Sequence, residues 1–397
     1  MKRVLIGWLL VTAACWLVLG LLFASVIPGG LVTILAASVA ASAPLLLLLR
    51  GFTRRSYPRR SIRLFVIRPF WYVQLLLPFV ALAGLAGLVA GAAAGAFNAS
   101  AHQWALAGGR GAVISVTTVA LLFFLAGYLG SRRLVVRRFV ASIPALPDAF
   151  EGMRIVQLTD LHVGPHTPRG KLARIAQATR DADPDLIALT GDLVDDYSRD
   201  VEPFAAGLGR LTAPLGVYAI AGNHDVYAGW TEVRRGLEAE GITVLVNDAV
   251  PLERRESRIA LLGTGDPAGL HWSRGGGNAA APDVRGAVAA ARTMVGADGV
   301  LIALAHNPVL WPALARAGVD LTLSGHTHWG QMAIPGTGWS LASPFLRHAM
   351  GEYVEDGRVL YVHPGTNYWG LPFRMGTPPE VAVITLRRGE AAFALEG

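Results

Sequence analysis

The chain has 397 residues, of which 53% are hydrophobic and 16% charged, and its formal net charge is +7 at pH 7. Residues 1–147 contain Lys2 and thirteen arginines but no acidic residue, so they carry about +14 and residues 148–397 about −7. This division argues against a nucleic-acid-binding protein, because the larger part is acidic and would repel phosphate backbones. The single cysteine, Cys15, excludes disulfides within the chain.

Four uncharged apolar runs of 19–29 residues occupy the first third of the chain. Each is long enough to cross a hydrocarbon core of about 30 Å as a helix. The predicted spans are residues 4–27, 31–49, 69–97 and 111–130. A turn at Pro28-Gly29-Gly30 would separate the first two, and Pro44 is tolerable within a span because neighbouring helices can satisfy the freed carbonyl. None of the spans contains a charged residue, which makes a transporter the least favoured hypothesis.

The positions of the arginines predict how these spans are oriented. Lys2 and Arg3, seven arginines in residues 50–68 and four in residues 132–138 would lie on one side, and only Arg110 on the other. The positive-inside rule then predicts a multi-pass protein of the cell membrane, with both termini and the larger C-terminal part in the cytoplasm. A secretory signal in residues 1–26 is the alternative, disfavoured because a second uncharged run follows at once.

Strand and helix signals alternate after residue 153. We therefore divide the chain into a transmembrane region at 1–138, a linker at 139–153 and an α/β domain at 154–397. Apolar runs predict buried strands at residues 154–158, 186–190, 217–221, 300–305 and 321–324. Amphipathic patterns predict helices at residues 169–181, 201–211, 231–240, 283–295 and 308–317. Further strands are expected at residues 243–246, 259–263, 331–334, 358–362, 381–386 and 392–395.

A short polar fragment follows each of the first five strands. The fragments are Asp160-Leu161-His162, Gly191-Asp192, Gly222-Asn223-His224-Asp225, His306-Asn307 and Gly325-His326-Thr327-His328. Ligands collect beyond the carboxyl ends of strands in sheets covered by helices, so the fragments should converge. Alone, each fragment is more typical of a turn or a hydrogen-bonded core histidine. Together they offer the carboxylate, amide and imidazole groups that bind divalent first-row metals. The remaining histidines are left out of this site: His102, His166, His271, His348 and His363.

These five blocks, in this order, resemble the calcineurin-like metallophosphoesterase superfamily, and within it a bacterial membrane-associated branch. The resemblance covers roughly residues 150–390. It implies a four-layer αββα sandwich of two sheets flanked by helices. It also implies two divalent ions, of manganese, iron or zinc. One ion would be held by Asp160, His162, Asp192 and His328, and the other by Asp192, Asn223, His306 and His326, with Asp192 as the bridge.

The resemblance further implies hydrolysis of a phosphoester or pyrophosphate bond by metal-activated hydroxide. His224 matches the non-ligand histidine that stabilises the phosphoryl group or protonates the leaving oxygen, and Asp195 the carboxylate that orients it. Asp195 is followed by Asp196-Tyr197 and not by the Arg-Gly of phosphoprotein phosphatases, so a phosphoprotein substrate is not expected.

The predicted spans place this site beside a bilayer, so a lipid-linked phosphate or pyrophosphate is the favoured substrate class. A soluble nucleotide or general phosphodiester is the alternative, as is a catalytically silent, membrane-tethered sensing module. Five aromatic residues follow the last metal motif and either form an apolar entry for acyl chains or pack against the second sheet, and we favour packing. They are Trp329, Trp339, Phe345, Trp369 and Phe373.

Overall fold

A computed structural model describes residues 2–27, 30–54, 56–272 and 274–396, which form two compact units, Met1–Ala126 and Gly127–Gly397. The helices that begin in the first unit are α1 Lys2–Phe23, α2 Gly30–Ser42, α3 Pro44–Arg54, α4 Arg60–Ile62, α5 Arg68–Gly95 and α6 Ala99–Gly130. A π-helical turn, Arg63–Ile67, joins α4 to α5. The last turn of α6 belongs to the second unit.

Within the described residues, three helical segments are long and apolar enough to cross a membrane: Ile6–Phe23, Arg60–Gly95 and Ala99–Gly130. The predicted span at 31–49 is instead divided between α2 and α3 at Ala43. The division occurs there because Pro44 has no N–H to donate and disfavours helical geometry at the residue before it. The fourth crossing therefore stays a prediction. Of the predicted turn at Pro28-Gly29-Gly30, Pro28 and Gly29 lie outside the described residues.

Helices α5 and α6 form an antiparallel pair held close by glycine. A Cβ atom added at Gly87 would lie 2.5 Å from the Cα of Gly109. Toward the end of α5, His102 of α6 lies beside Gly95, and its Nδ1 donates to the carbonyl of Gly91 over 2.7 Å. Small residues allow such backbone approach, which is how helices pack in lipid without a hydrophobic driving force between them. The antiparallel arrangement places the start of α5 and the end of α6 on the same side.

The second unit contains two sheets and five longer helices among its described residues. Its helices are α7 Arg169–Asp181, α8 Val201–Leu208, α9 Asn223–Ala239, α10 Val284–Val295 and α11 Trp311–Arg316. Its strands are β1 Val135–Ile143, β2 Arg154–Leu158, β3 Leu186–Leu189, β4 Val217–Ala219, β5 Thr243–Val244, β6 Asp248–Arg254, β7 Ser257–Gly263, β8 Leu301–Leu304, β9 Leu321–Ser324, β10 Ala333–Ile334, β11 Trp339–Ser340, β12 Gly351–Glu355, β13 Arg358–Val362, β14 Glu380–Arg388 and β15 Ala392–Leu395.

The two sheets are mixed and pack face to face. The first has the order β15-β1-β14-β2-β3-β4-β5 and the second β12-β13-β9-β8-β7-β6, while β10 and β11 form a separate hairpin. Fully buried residues such as Ile155, Ile302 and Tyr361 fill the space between the sheets. Helices α7 to α9 cover the outer face of the first sheet, and α10 and α11 that of the second. The predicted αββα sandwich is confirmed.

The chain between the last apolar helix and β2 differs from the predicted linker at 139–153. Strand β1 starts at Val135 and lies inside the first sheet, parallel to β14 and antiparallel to β15. Phe139, Phe150 and Met153 are buried. The alternation of β1 is hard to recognise because Arg137 and Arg138 interrupt it, yet Arg137 is accommodated by Glu380, with 3.3 Å between Nε and Oε2.

Candidate metal centre

All five predicted polar fragments lie at one edge of the sandwich. Strands β2, β3 and β4 run parallel in the first sheet, and β8 and β9 run parallel in the second. Each fragment follows the carboxyl end of one of these strands, so the loops converge as expected for a helix-covered sheet. The side chains of Asp160, Asp192 and His306 are almost completely buried there.

The backbone at this edge is unusual in its dihedral angles. Among the described residues, eleven that are not glycine have positive φ, and five of these eleven are predicted ligands. They are Asp160, His162, Asp192, His326 and His328. Because positive φ is unfavourable for residues with a Cβ atom, surrounding contacts must hold these five in place. Strained backbone concentrated in one side-chain cluster is typical of a functional site.

Glycine is required where the loops touch. Gly191 has φ +90°, and a Cβ there would lie 2.7 Å from His306 Nδ1. A Cβ at Gly222 would collide with the backbone nitrogen and the carboxylate of Asp192, and one at Gly325 would collide with the Asp160 carboxylate. The small residues in the motifs therefore let the ligand-bearing loops approach one another.

The first cluster joins Asp160, His162 and His328. The Nε2 atoms of His162 and His328 are 3.0 Å apart, and His328 Nε2 is 3.3 Å from Asp160 Oδ1. Bonds of about 2.0–2.2 Å from one ion place neighbouring ligand atoms roughly 3.0–3.5 Å apart. The observed separations match that spacing.

The second cluster joins Asp192, His306 and His326. Asp192 Oδ2 is 3.3 Å from His306 Nε2 and 3.6 Å from His162 Nε2, a member of the first cluster. Asn223 Oδ1 is 2.8 Å from His326 Nδ1. One carboxylate oxygen thus faces both clusters, which is the arrangement that a bridging ligand requires.

Hydrogen bonding at His306 shows what kind of group fits between these atoms. Its Nδ1 donates to the carbonyl of Thr190 over 2.8 Å, so Nε2 of the neutral ring carries a lone pair. That Nε2 is buried without a hydrogen-bond partner and faces an acceptor oxygen of Asp192. Two buried acceptors facing each other are unfavourable unless a cation lies between them. The donor set therefore fits a divalent metal.

The electrostatics of this pair agree with its geometry. Burial would lower the pKa of His306, but the Asp192 carboxylate outweighs burial and raises that pKa well above its usual value. Burial would raise the pKa of Asp192, yet the rings of His306 and His224 hold it well below its usual range. The pair thus strongly favours positive charge between its members.

His224 lies at the mouth of the site and is held mainly by backbone groups. Its amide donates to Asp192 Oδ1 over 2.8 Å, and its Nδ1 donates to the carbonyl oxygen of Asp195 over 3.1 Å. The Asp195 carboxylate is 4.0 Å from His224 Nδ1 and 3.6 Å from His162 Nδ1. The orienting contact predicted for the Asp195 carboxylate is therefore made through the Asp195 main chain, and the carboxylate itself lies nearer His162.

Asp225 has a role that the sequence did not reveal. One of its oxygens accepts the amides of Leu193 and Val194, each over 3.0 Å, and the other accepts the amide of Gly222 over 2.9 Å. Burial is the main cause that raises the pKa of Asp225 to about 7, and the nearby Asp192 charge adds to it. The amide donors oppose this shift. Asp225 joins the loop that bears Asp192 to the loop that bears Asn223.

Arg374 is a second residue that sequence reasoning missed. It is 1% exposed, and its Nη2 donates to His328 Nδ1 over 2.8 Å while Nη1 donates to the His328 carbonyl over 3.1 Å. These bonds leave His328 Nε2 facing Asp160. Because Nδ1 accepts from Arg374, the neutral ring carries its proton on Nε2, and a metal ion bound there would displace that proton. No local pattern identifies Arg374, because it lies 46 residues from His328 in the chain.

Lys171 and Asn367 extend the buried polar network beside Arg374. Lys171 Nζ donates to Asn367 Oδ1 over 2.5 Å and to the Ser131 carbonyl over 3.2 Å. Asn367 Nδ2 donates to the carbonyl of Leu161, which stands between two predicted ligands. The network therefore fixes the backbone of the first ligand-bearing loop.

The five aromatic residues after the last metal motif differ in burial. Trp329 is buried, with its Nε1 donating to the Val362 carbonyl over 2.8 Å, and Phe373 lies where a Cβ at Gly127 would collide with its ring. The other three are exposed: Trp339 by 37%, Phe345 by 80% and Trp369 by 50%. Packing against the second sheet, the favoured prediction, thus describes Trp329, whereas the Phe373 ring lies against the last turn of α6. Across the described part of the chain, the five excluded histidines take no part in the ligand clusters.

Comparison with known proteins gives a consistent result. A family model described as calcineurin-like phosphoesterase matches residues 153–330. The chain is similar to a Danio rerio "transmembrane protein with metallophosphoesterase domain", at 35% identity over 257 residues, which are 62% of this chain and 56% of that protein. It is also similar to the Bacillus subtilis "uncharacterized metallophosphoesterase YkuE", at 30% identity over 61% of this chain and 82% of that protein. The chain spans about half the length of the animal relatives that it matches.

Proposed function

This chain belongs to the calcineurin-like phosphoesterase family, a family of metal-dependent hydrolases, and on that premise we propose a membrane-anchored phosphohydrolase with two divalent metal ions. It would cleave a phosphoester or pyrophosphate bond. The observation that carries this proposal is the position of Asp192 Oδ2, which faces His162 of one cluster and His306 of the other.

We assign the ligands as the family pattern implies. Asp160, His162, Asp192 and His328 would hold one ion, and Asp192, Asn223, His306 and His326 the other. When bound, two such ions supply an ionised water at neutral pH and neutralise charge on the phosphoryl oxygens. Manganese, iron and zinc all suit this mixed set of carboxylate, amide and imidazole groups.

His224 is the residue we assign to the leaving group. Its bonds to Asp192 and to the Asp195 carbonyl fix the ring and leave Nε2 as the ring nitrogen available to substrate. Burial, partly offset by the Asp192 charge, lowers its pKa, so an arriving phosphate dianion would have to supply the charge that keeps the ring protonated. In that state Nε2 stabilises the phosphoryl group and delivers a proton to the departing oxygen.

The apolar helices and the relatives named as transmembrane proteins support anchoring to a membrane. We place the catalytic unit in the cytoplasm, because Arg68 begins α5, Arg132 and Arg133 follow α6, and α5 and α6 are antiparallel. A catalytic unit joined directly to a membrane helix is well placed for a phosphate or pyrophosphate carried by a lipid. Faster turnover of a soluble nucleotide than of any lipid pyrophosphate would contradict that choice of substrate.

The experiment uses the full-length chain in detergent, because a fragment starting at residue 140 would cut β1 in two. Bound metal is removed, manganese or zinc is restored, and hydrolysis of a chromogenic phosphodiester and phosphomonoester is followed. We expect turnover to return with metal, to be lost in Asp192→Asn and to fall in His224→Ala. Asp356→Asn, in a surface turn with φ 51° that asparagine tolerates, is the control. Metal-independent turnover would contradict the proposal.

A further inference from the structure

We propose that residues 332–346, here called the apolar hairpin, form a surface that rests in the headgroup region of the lipid bilayer and presents membrane-embedded phosphoesters to His224. This inference rests on the proposed function and names its substrate class: an amphiphilic phosphoester whose apolar part stays in the bilayer. It is carried by the exposed side chains of the hairpin, its hydrogen bonds to the end of α6 and its connection to His224.

The register of the hairpin places its large apolar side chains on one face. Ala333 pairs with Ser340 and Ile334 with Trp339. Ala333 and Ser340 are buried, while Ile334 is 52% and Trp339 37% exposed. Leu341 follows β11 directly and is 46% exposed, with its amide donating to the Met332 carbonyl over 2.8 Å.

The chain that follows β11 enlarges this surface. Phe345 is 80% exposed and Leu346 is 40% exposed. Arg347 comes next and is exposed, with its Nη2 3.3 Å from Glu355 Oε1. Five large apolar side chains within thirteen residues, bordered by this ion pair, are typical of a segment that partitions into a membrane interface.

Hydrogen bonds within the second unit connect the hairpin to the end of α6. The amide of Ala333 donates to the Met375 carbonyl over 2.9 Å, and the amide of Arg374 donates to the Gly127 carbonyl, in the last turn of α6, over 2.8 Å. The hairpin thus lies about two strand spacings, or roughly 10 Å, from that turn.

The end of α6 shows what covers the hairpin. Leu129 in the last turn is 58% exposed, as expected of a side chain that contacts lipid, and Arg132 and Arg133 mark the point where the chain leaves the hydrocarbon. A hairpin beside that point lies at headgroup level. The bilayer is therefore the occupant to which we assign its apolar face.

Gln331 and Trp369 connect the start of the hairpin to His224. The side chain of Gln331 binds both backbone groups of Trp369, with Nε2 donating to the carbonyl over 3.0 Å and Oε1 accepting the amide over 2.9 Å. Trp369 is half exposed, and its ring lies 5.8 Å from that of His224. A phosphate held at His224 would thus lie beside the Trp369 ring, which Gln331 connects to the start of the hairpin.

Fluorescence quenching by lipids tests this surface without relying on catalysis. Cys15→Ser removes the native thiol, and Phe345→Cys is labelled with an environment-sensitive nitrobenzoxadiazole dye. The full-length chain is placed in phosphatidylcholine–phosphatidylglycerol vesicles that contain doxyl-labelled lipid. The control is Val354→Cys, an apolar residue 46% exposed near the turn that joins β12 to β13. That turn lies opposite the metal loops, because β13 is parallel to β9.

We expect quenching at residue 345 to exceed quenching at residue 354 several-fold, and the combination Ile334→Asp with Trp339→Asp to abolish most of this difference. The thermal unfolding midpoint of that combination in detergent should match that of the unchanged chain, which shows that the unit is folded. Equal quenching at the two positions would overturn the proposal, and so would cross-linking of two copies through residue 345. Quenching does not depend on turnover, so a chain without hydrolase activity would contradict the proposed function alone.

Discussion

At the scale of single residues, the site is defined by acceptor atoms that face each other. His306 Nε2 and Asp192 Oδ2 are 3.3 Å apart and buried, and the Thr190 carbonyl occupies the other nitrogen of the ring. A metal ion satisfies both acceptors, and without one a proton on Nε2 does so, which agrees with the raised pKa of His306. The metal assignment therefore depends on hydrogen-bond roles at one histidine as well as on the order of motifs.

The contacts of His224 predict unequal effects for two substitutions. His224→Ala should lower turnover about 10²–10⁴-fold with an alkyl phosphoester, because general acid catalysis is worth that much, and less with a nitrophenyl ester, whose leaving group needs no proton. Asp195→Asn should cost less than about tenfold, because the backbone carbonyl that binds His224 is retained. Steady-state rates with both esters check this. Equal losses in the two variants would show that the Asp195 carboxylate, and not its carbonyl, orients the ring.

Arg374 provides a second prediction. Lysine lacks the forked guanidinium that binds His328 at both Nδ1 and the carbonyl, so Arg374→Lys should weaken manganese binding about 10–100-fold. Competition with a fluorescent chelator measures the affinity without any assay of turnover. Arg347→Lys, at an exposed arginine, is the matched control and should bind manganese like the unchanged chain. Unchanged affinity in Arg374→Lys would exclude a positioning role.

The predicted ligands came from short motifs because each motif follows a strand, and strand ends are recognisable in a sequence. Asp225 stood within such a motif, but two of its three amide partners, Leu193 and Val194, lie on another loop whose proximity only the fold reveals. Arg374 and Lys171 stood in no motif. Their roles follow from contacts between segments far apart in the chain, which no local pattern encodes.

At the scale of elements, the contact between α5 and α6 depends on two facing glycines. Gly109→Ala would place a methyl group 2.5 Å from the Cα of Gly87, so the helices must separate, at a cost of about 1–3 kcal/mol. Gly108→Ala, one residue away, meets no atom within 4 Å and serves as the control. Thermal unfolding in detergent should show a lower midpoint for the first variant only. Equal midpoints would mean that the two helices do not pack at these glycines.

The elements that the sequence predicted poorly share a physical cause. Strand β1 depends on pairing with β14, about 245 residues later, and two arginines obscure its alternation. The apolar run at 31–49 has the length of a span, but Pro44 divides it into two helices. Composition determines whether a segment is apolar, whereas backbone hydrogen bonding determines where it can continue.

At the scale of the whole molecule, stability should depend on pH through the buried Lys171. Burial, followed by the charges of Arg374 and Arg174, lowers its pKa from 10.5 to about 7. Between these values the unfolded chain binds the proton and the folded chain does not, so this group makes stability rise with pH. The destabilisation that comes from burying the protonated Lys171 side chain is complete below about pH 7 and disappears above about pH 10.5.

The corresponding variant is Lys171→Met, which keeps the aliphatic stem without a titratable group. From pH 7 to pH 10 the unfolding midpoint of the unchanged chain should rise relative to that of the variant, because only the unchanged chain loses this destabilisation. Differential scanning fluorimetry of the full-length chain in detergent measures both. A constant difference between the two midpoints across this range would show that Lys171 keeps its proton in the folded state.

Side chains from five loops are proposed to bind two metal ions, and the number of ions bound per chain measures this most directly. The chain is stripped of metal and titrated with manganese, and bound manganese per chain and hydrolysis of the chromogenic phosphodiester are measured on the same samples. We expect two bound manganese ions per chain at saturation and turnover that rises as the second ion binds. Asp192→Asn should lose both the bound ions and the turnover. Saturation at one ion or none, or full turnover before manganese is added, would contradict the binding of two metal ions.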